Sequence, residues 1–449
     1  MINFDHINEF SKSYDINNRY LRFTHNHLYY RKIDIVGREN IPPRGTPTLV
    51  ISNHQNGLMD ALAILYLFDD HRQPVFIARG DIFKKDSIAK MLRYLKILPA
   101  FRSRDGGRDD VKRNLDFIEL EGRILNEGGT LAMFPEAGHQ AGHFMTTFKK
   151  GFPRIAFKAE EMADFNLNLQ ILPLNIYYDN YFNFRGYLSI TVGKPFTISE
   201  FFEKYKLEPN KAFAALNEKA RAAIKAMTLD IEDKEHYEEY DILRQMSHTP
   251  LKELGKDSAT PLYEQQREDI ETVRKLDEMR ATEPEKFANL MSAAREYLNG
   301  LQKLNLRDWL INYNIKATSL IFKTLLLIIL APVYLFGLIN NIIPFKLPEP
   351  LKRKMNDRMF SSSVNYALSV LITFPLWYLI LFVAAWVVSG QLWFAAAYLF
   401  AAFCSLFFFF KYKKWFIKWR ASCRYYIMCK SGNKMLQKIK ELKKNILTY

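Results

Sequence analysis

The feature that most constrains this chain is a pair of uncharged apolar runs near its C-terminus. Tyr366–Val388 is 23 residues without a charge and Leu392–Phe410 is 19, with Ser389-Gly390-Gln391 between them. A helix that crosses a bilayer needs about 20 predominantly apolar residues. Buried helices of soluble proteins rarely reach such lengths, so 366–410 is expected to be a transmembrane hairpin. An earlier run, Thr324–Ile339, has only 16 residues, contains Pro332 and Gly337, and is followed at once by Asn340-Asn341. A helix of that length rises about 24 Å, short of a hydrocarbon core of about 30 Å. The segment 317–345 is therefore expected to be re-entrant or interfacial.

The placement of charge supports a membrane. The formal charge is +15, of which residues 411–449 carry +11 and residues 346–358 carry +3, leaving an almost neutral remainder. Basic blocks beside apolar spans are the signature of a cytoplasmic flank and attract anionic head groups. A nucleic-acid partner would need a basic face elsewhere, and the neutral remainder offers none. Cys404, Cys423 and Cys429 are too few for a disulfide framework and include no CxxC pair for zinc. His139 and His143 lie four apart near Glu136, but Pro135 and Gly142 argue against the regular helix such a ligand pair needs, so no metal is expected.

Upstream, the pattern changes several times. Residues 1–36 carry scattered aromatics and are expected to form short helices. From 37 to 200, apolar runs at Thr48–Ser52, Val75–Ala78, Ile97–Phe101, Thr130–Phe134 and Leu169–Tyr177 alternate with helical spacing over 58–68, 82–95, 108–126 and 150–163. Strands alternating with helices of that length predict an α/β domain, a largely parallel sheet flanked by helices. Residues 201–316 are helix-rich with mixed charges and predict a solvated helical arm. Residues 411–449 are expected to be a basic cytoplasmic tail.

Reactive residues gather at the carboxyl ends of the expected strands, where open α/β sheets bind ligands. After Thr48–Ser52 comes Asn53-His54-Gln55-Asn56-Gly57-Leu58-Met59-Asp60. Such a His and Asp can act as a base and its orienter, the carboxylate fixing one ring nitrogen while the other takes a proton. Taken alone, the pair is more often a helix cap beside a surface acid. After Thr130–Phe134 comes Pro135-Glu136-Ala137-Gly138-His139, and after Ile97–Phe101 come Arg102 and Arg104. Paired guanidiniums suit bidentate phosphate contacts but are also common on surfaces. Lys149-Lys150-Gly151 precedes a helix, whose N-terminus favours anions.

In this order, His54 to Asp60, then the arginines, then Phe134-Pro135-Glu136, then Ile171-Leu172-Pro173-Leu174, the chain over about residues 30–200 resembles the glycerolipid acyltransferases. That family includes glycerol-3-phosphate, dihydroxyacetone-phosphate and lysophosphatidate acyltransferases. Five residues separate His54 from Asp60 where the family usually has four, and Met59 stands at the usual acid position; one branch carries the longer spacing. The usual Phe-Pro-Glu-Gly-Thr-Arg continues here as Ala137, Gly138 and His139.

The resemblance implies transfer of a fatty acyl group from acyl-CoA or acyl carrier protein to a hydroxyl of glycerol 3-phosphate, with His54 as general base and Asp60 orienting it. By the same resemblance Arg102 holds the acceptor phosphate with Arg104 in support, and Glu136 and Gly138 lie at the acceptor. Lys150 binds phosphate and Pro173 shapes the acyl-donor side. No cofactor is implied. The alternatives are a lysophosphatidate or lysophospholipid acceptor at the same residues, or a non-catalytic membrane-anchored scaffold. The resemblance and the charge together place a multi-pass protein in the membrane with the α/β domain on its cytoplasmic face.

Overall fold

The computed structural model describes residues 3–100, 108–136, 138, 142–182, 184–247, 261–311, 313–354 and 360–449. The chain divides into two compact units. One takes in the chain up to Asp230 together with the segment that ends at Tyr366, and the other holds the rest.

The first unit is built on a seven-stranded sheet: β1 (Lys32–Val36), β2 (Thr48–Ser52), β3 (Val75–Arg79), β4 (Ile97–Ala100), β5 (Thr130–Met133), β6 (Gln170–Tyr178) and β7 (Tyr187–Val192), in the order β1-β7-β6-β2-β5-β3-β4. Strands β2 to β6 are mutually parallel, β7 runs antiparallel to β6, and β1 is parallel to β7. All five residues of β2 are buried, which is why it reads as an unbroken apolar run: parallel strands are covered on both faces. The strands β1 and β7 were not foreseen. Strand β1, KIDIV, falls within the stretch expected to be helical; it lies at the sheet edge with its residues half-exposed, so it carries no continuous apolar run.

Helices α1 (Lys12–Phe23), α2 (Leu58–Leu65), α3 (Asp86–Tyr94), α4 (Arg108–Asn126), α5 (Gly151–Met162) and α6 (Pro209–Lys225) complete the unit. Its core joins Leu49 and Ile51 of β2 and Leu131 of β5 to Ile155 and Phe157 of α5. Ala212, Leu216, Ala220 and Ile224, spaced by four, put one face of α6 into the same core. The stretch 201–230, grouped with the arm on its mixed charges, thus packs on the sheet through a single apolar stripe.

The second unit is helical: α7 (Tyr237–Ser247), α8 (Leu262–Thr282), α9 (Pro284–Leu304), α10 (Ala317–Lys346), α11 (Phe374–Ser389), α12 (Leu392–Lys430) and α13 (Lys434–Ile446). The expected solvated arm has a core of its own. Tyr240, Leu290, Ala294 and Tyr297 are buried, Arg244 pairs with Asp269 at 2.9 Å, and Arg295 pairs with Glu239 at 2.5 Å. The basic tail joins it: fully buried Lys443 of α13 meets Asp308 at 3.0 Å, and a Cβ on Gly300 would stand 2.7 Å from Ile439.

Among the described residues, three helices are long and apolar enough to cross a membrane. The expectation that Thr324–Ile339 is too short for this is corrected, because α10 has 30 residues, a rise of about 45 Å. Asn340 and Asn341, which looked like a terminus, are bonded between helices. Asn341 Nδ2 donates to Ser405 Oγ at 3.1 Å, Tyr378 donates to Asn341 Oδ1 at 2.7 Å, and Tyr398 donates to Asn340 Oδ1 at 2.7 Å. Polar side chains satisfied in this way are tolerated among apolar helices. The helix also continues through Pro332 and Pro344.

Candidate active site

Strands β2 and β5 are neighbours in parallel register, with Ile51 opposite Met133. The residues that follow them, His54 and Glu136, therefore emerge side by side at the carboxyl edge of the sheet. Asn53 fixes the exit of β2 by a two-way bond to the backbone of Ile176 in β6, donating at 2.9 Å and accepting at 2.8 Å.

The chain then turns sharply. Gly57 has φ of 54° and ψ of −126°, a conformation that favours glycine, and α2 begins at Leu58. Asp60 is the third residue of α2, and its carboxylate reaches back over the turn. Its Oδ2 lies 2.8 Å from His54 Nδ1 and accepts from the backbone N–H of Gln55 at 2.8 Å and of Asn56 at 2.7 Å. Its Oδ1 accepts from the hydroxyl of Tyr178 at 2.7 Å. Asp60 is fully buried. The extra residue between His and Asp is absorbed by this turn, and the carboxylate that gathers both loop amides is that of Asp60 and not the side chain of Met59.

A carboxylate that gathers N–H donors holds the Nδ1 proton of the imidazole, which leaves Nε2 as the basic nitrogen. The His54 ring stacks on Phe134, with centroids 4.0 Å apart and planes 13° from parallel, and 15% of its side chain is accessible. Burial, and next the Asp60 charge, hold the Tyr178 phenol well above its ordinary value, so it remains a donor. The arrangement can orient an imidazole, stabilise its protonated form and accept a proton from a bound hydroxyl.

Glu136 is buried, accepting from the His54 N–H at 3.3 Å and from the N–H and hydroxyl of Thr146 at 2.9 and 2.8 Å. Burial raises its pKa, against the lowering effect of the Thr146 bonds and His54. Its carboxylate braces the His54 loop to the segment before α5.

Lys150 is exposed at the start of α5 and donates to Asn210 Oδ1 at 3.2 Å. Pro173 is buried within β6 opposite Ile51, and its carbonyl accepts from Gly193 N–H at 2.9 Å. Gly138 is exposed, with space around the position a Cβ would take. Arg102, Arg104 and His139 lie outside the described residues. Strand β4, which leads to the arginines, ends at the same edge of the sheet as β2 and β5 and two strand spacings from β5, about 10 Å.

Two contributors were missed from the sequence, Tyr178 and Thr146, while Phe134 was legible only as part of the Phe134-Pro135-Glu136 run. Tyr178 had a signal, as the last residue of a strand that turned out to flank β2. Thr146 had none, since nothing local marks it as a partner of Glu136.

Residues 32–177 match the family model described as Acyltransferase. The chain is similar to the chloroplastic 1-acyl-sn-glycerol-3-phosphate acyltransferase of Arabidopsis thaliana, 28% identical over 29% of this chain and 33% of that protein. It is equally similar to the one from Brassica napus, 28% identical over 29% of this chain and 35% of that protein. The match thus spans about a third of the length of these curated relatives. Among solved structures, the 1-acyl-sn-glycerophosphate acyltransferase from Thermotoga maritima is similar at 19% identity and a TM-score of 0.33, over 47% of this chain and 81% of that one.

Proposed function

We propose that this chain, whose residues 32–177 match the Acyltransferase family model, moves a fatty acyl group from a thioester to a hydroxyl of a glycerol phosphate. The observation that carries the reading is the His54–Asp60 pair at 2.8 Å, beside Glu136 at the carboxyl edge of adjacent parallel strands. An alcohol is a weak nucleophile at neutral pH. His54 Nε2 removes its proton as the oxygen attacks the thioester carbonyl, and Asp60 supports the imidazolium that forms. The tetrahedral intermediate collapses with loss of the thiolate, which takes the proton back from His54. The new ester oxygen comes from the acceptor, and no acyl-enzyme is needed.

Arg102 and Arg104 follow strand β4 in the sequence and carry the charge suited to the acceptor phosphate. The names of the curated relatives favour an acceptor already acylated at its first position; glycerol 3-phosphate offers the same phosphate and an equivalent hydroxyl. Coenzyme A and acyl carrier protein both supply the thioester. The test is membranes containing the protein, one labelled acyl thioester, and glycerol 3-phosphate, dihydroxyacetone phosphate and 1-acylglycerol 3-phosphate in parallel. Label in the phosphorylated acceptor is expected from wild type and not from His54→Ala. Wild type that acylates none of the three would leave the scaffold reading standing.

A further inference from the structure

The loop that carries His54 is finished by residues from the far end of the chain. Helix α2 opens on Gly57, which has no side chain to cap it; Met59 N–H reaches the carbonyl of Asn56 at 3.0 Å, which leaves the Leu58 N–H to be met from elsewhere. Ser363 supplies one: its hydroxyl accepts from Leu58 N–H at 3.2 Å, across 305 residues. Beside it, Ser362 Oγ donates to Oδ1 of Asn56, and the carbonyl of Ser362 accepts from Tyr29 at 3.3 Å. Tyr366 anchors the segment, donating to the carbonyl of Leu21 at 2.8 Å and lying 2.8 Å from Thr24 Oγ1. Asn56 and Ser362 are fully buried, and Ser363 and Tyr366 are nearly so. Asn56 is also one of the two residues whose N–H groups hold Asp60.

We infer that Ser362 and Ser363 are positioning residues for acyl transfer, clamping the Asn56–Leu58 turn so that Asp60 and His54 keep their geometry. They touch neither partner of the reaction. They act through Asn56, whose amide and side chain tie Asp60 to Ser362, and through Leu58, whose amide they cap in place of the glycine. Because Ser362 and Ser363 lie in the first turns of the long apolar helix Ser361–Ser389, the turn is completed only when the start of that helix is docked. The inference rests on the reading of His54 as the base.

The experiment compares full-length wild type, Ser362→Ala, Ser363→Ala and Ser363→Thr in lipid nanodiscs. Palmitoyl-CoA and 1-acylglycerol 3-phosphate serve as substrates, and hydrogen exchange is followed on the same samples. Both alanine variants are expected to lower kcat by roughly threefold to thirtyfold, the range set by loss of a helix cap, with KM for the thioester nearly unchanged. Amide exchange over 55–60 should rise by a similar factor while β2 and β5 keep wild-type rates. Ser363→Thr, which keeps the hydroxyl, should restore both. Unchanged kcat and unchanged exchange would overturn the clamp, as would loss of protection throughout the sheet, which would assign the serines to general stability. An inactive wild type would instead overturn acyl transfer itself, and the exchange data would show separately whether the serines hold the turn.

Discussion

Tyr178 ends strand β6 with its hydroxyl 2.7 Å from Oδ1 of Asp60, a contact made across 118 residues. The bond divides the carboxylate between two tasks. Oδ2 serves His54 and the loop amides, while Oδ1 is tied to the sheet. The acid that orients the imidazole is thereby fixed to a strand rather than to the loop it steadies.

Replacing Tyr178 by Phe keeps the ring and removes the donor. A buried acceptor left without its partner costs about 1–3 kcal/mol. Steady-state kinetics should show kcat lowered about tenfold or more with KM little changed. Wild-type kcat in Tyr178→Phe would mean that the loop amides alone hold Asp60.

His54→Ala should lower turnover by about 10²–10⁴-fold, the usual worth of a positioned general base. Asp60→Asn should be nearly as damaging, since an amide can present its NH₂ to the loop amides and to Nδ1. Single-turnover measurement separates these losses from substrate binding. An active Asp60→Asn enzyme would show that the five-residue spacing has been assigned to the wrong acid.

Arg102→Ala should act on the acceptor and not on the chemistry. Loss of a charged hydrogen-bond partner, about 1.5–3 kcal/mol, should appear as a raised KM for the phosphorylated acceptor. A long-chain alcohol without phosphate serves as control. Equal losses on both acceptors would point to damage elsewhere.

Glu121 in α4 is 2% exposed, and burial raises its carboxyl from 4.5 to about 8. The folded chain keeps this proton at pH values where the unfolded chain has released it. Stability from this group is therefore fully present below the unfolded value and falls as pH rises toward the folded one. Glu121→Gln removes the titration. Thermal unfolding at about pH 5 and about pH 8.5 should show the variant gaining on wild type at the higher pH. A gap that is the same at both would contradict the raised value.

The turn at Ser389–Gln391 should lie across the bilayer from the basic tail, since only α12 separates them. In a chain with Cys404, Cys423 and Cys429 replaced by Ser, single cysteines at Gly390 and Thr448 can be probed in intact cells with an impermeant thiol reagent. Basic residues after Phe410 favour an inside-facing tail, so position 390 should react and position 448 should not. Labelling at 448 would place the tail outside.

The sequence reveals what local chemistry determines. Strand β2 is legible because both its faces are buried, His54 and Glu136 are legible because each sits just beyond a strand end, and Asp60 is legible as the acid that follows His54 in the next helix. Strand β1 is not, since an edge strand alternates charge with apolar residues. The length of α10 is hidden because Asn340 and Asn341 resemble a terminus until Tyr378, Tyr398 and Ser405 are known to meet them. Tyr178, Thr146, Ser362 and Ser363 act through contacts between distant segments, and no spacing in the chain announces such partners.

The docked serines also set a schedule for synthesis. Ser362 is made 306 residues after Asn56, so at 5–20 residues per second the turn waits roughly 15–60 s for its partner. By then the ribosome has also synthesised α10, the first of the long apolar helices. A nascent or truncated chain that ends before Ser362 carries His54 and Asp60 but lacks the serines that close the turn around them. The turn at His54 thus closes late in translation, after the chain's first membrane-type helix has been made.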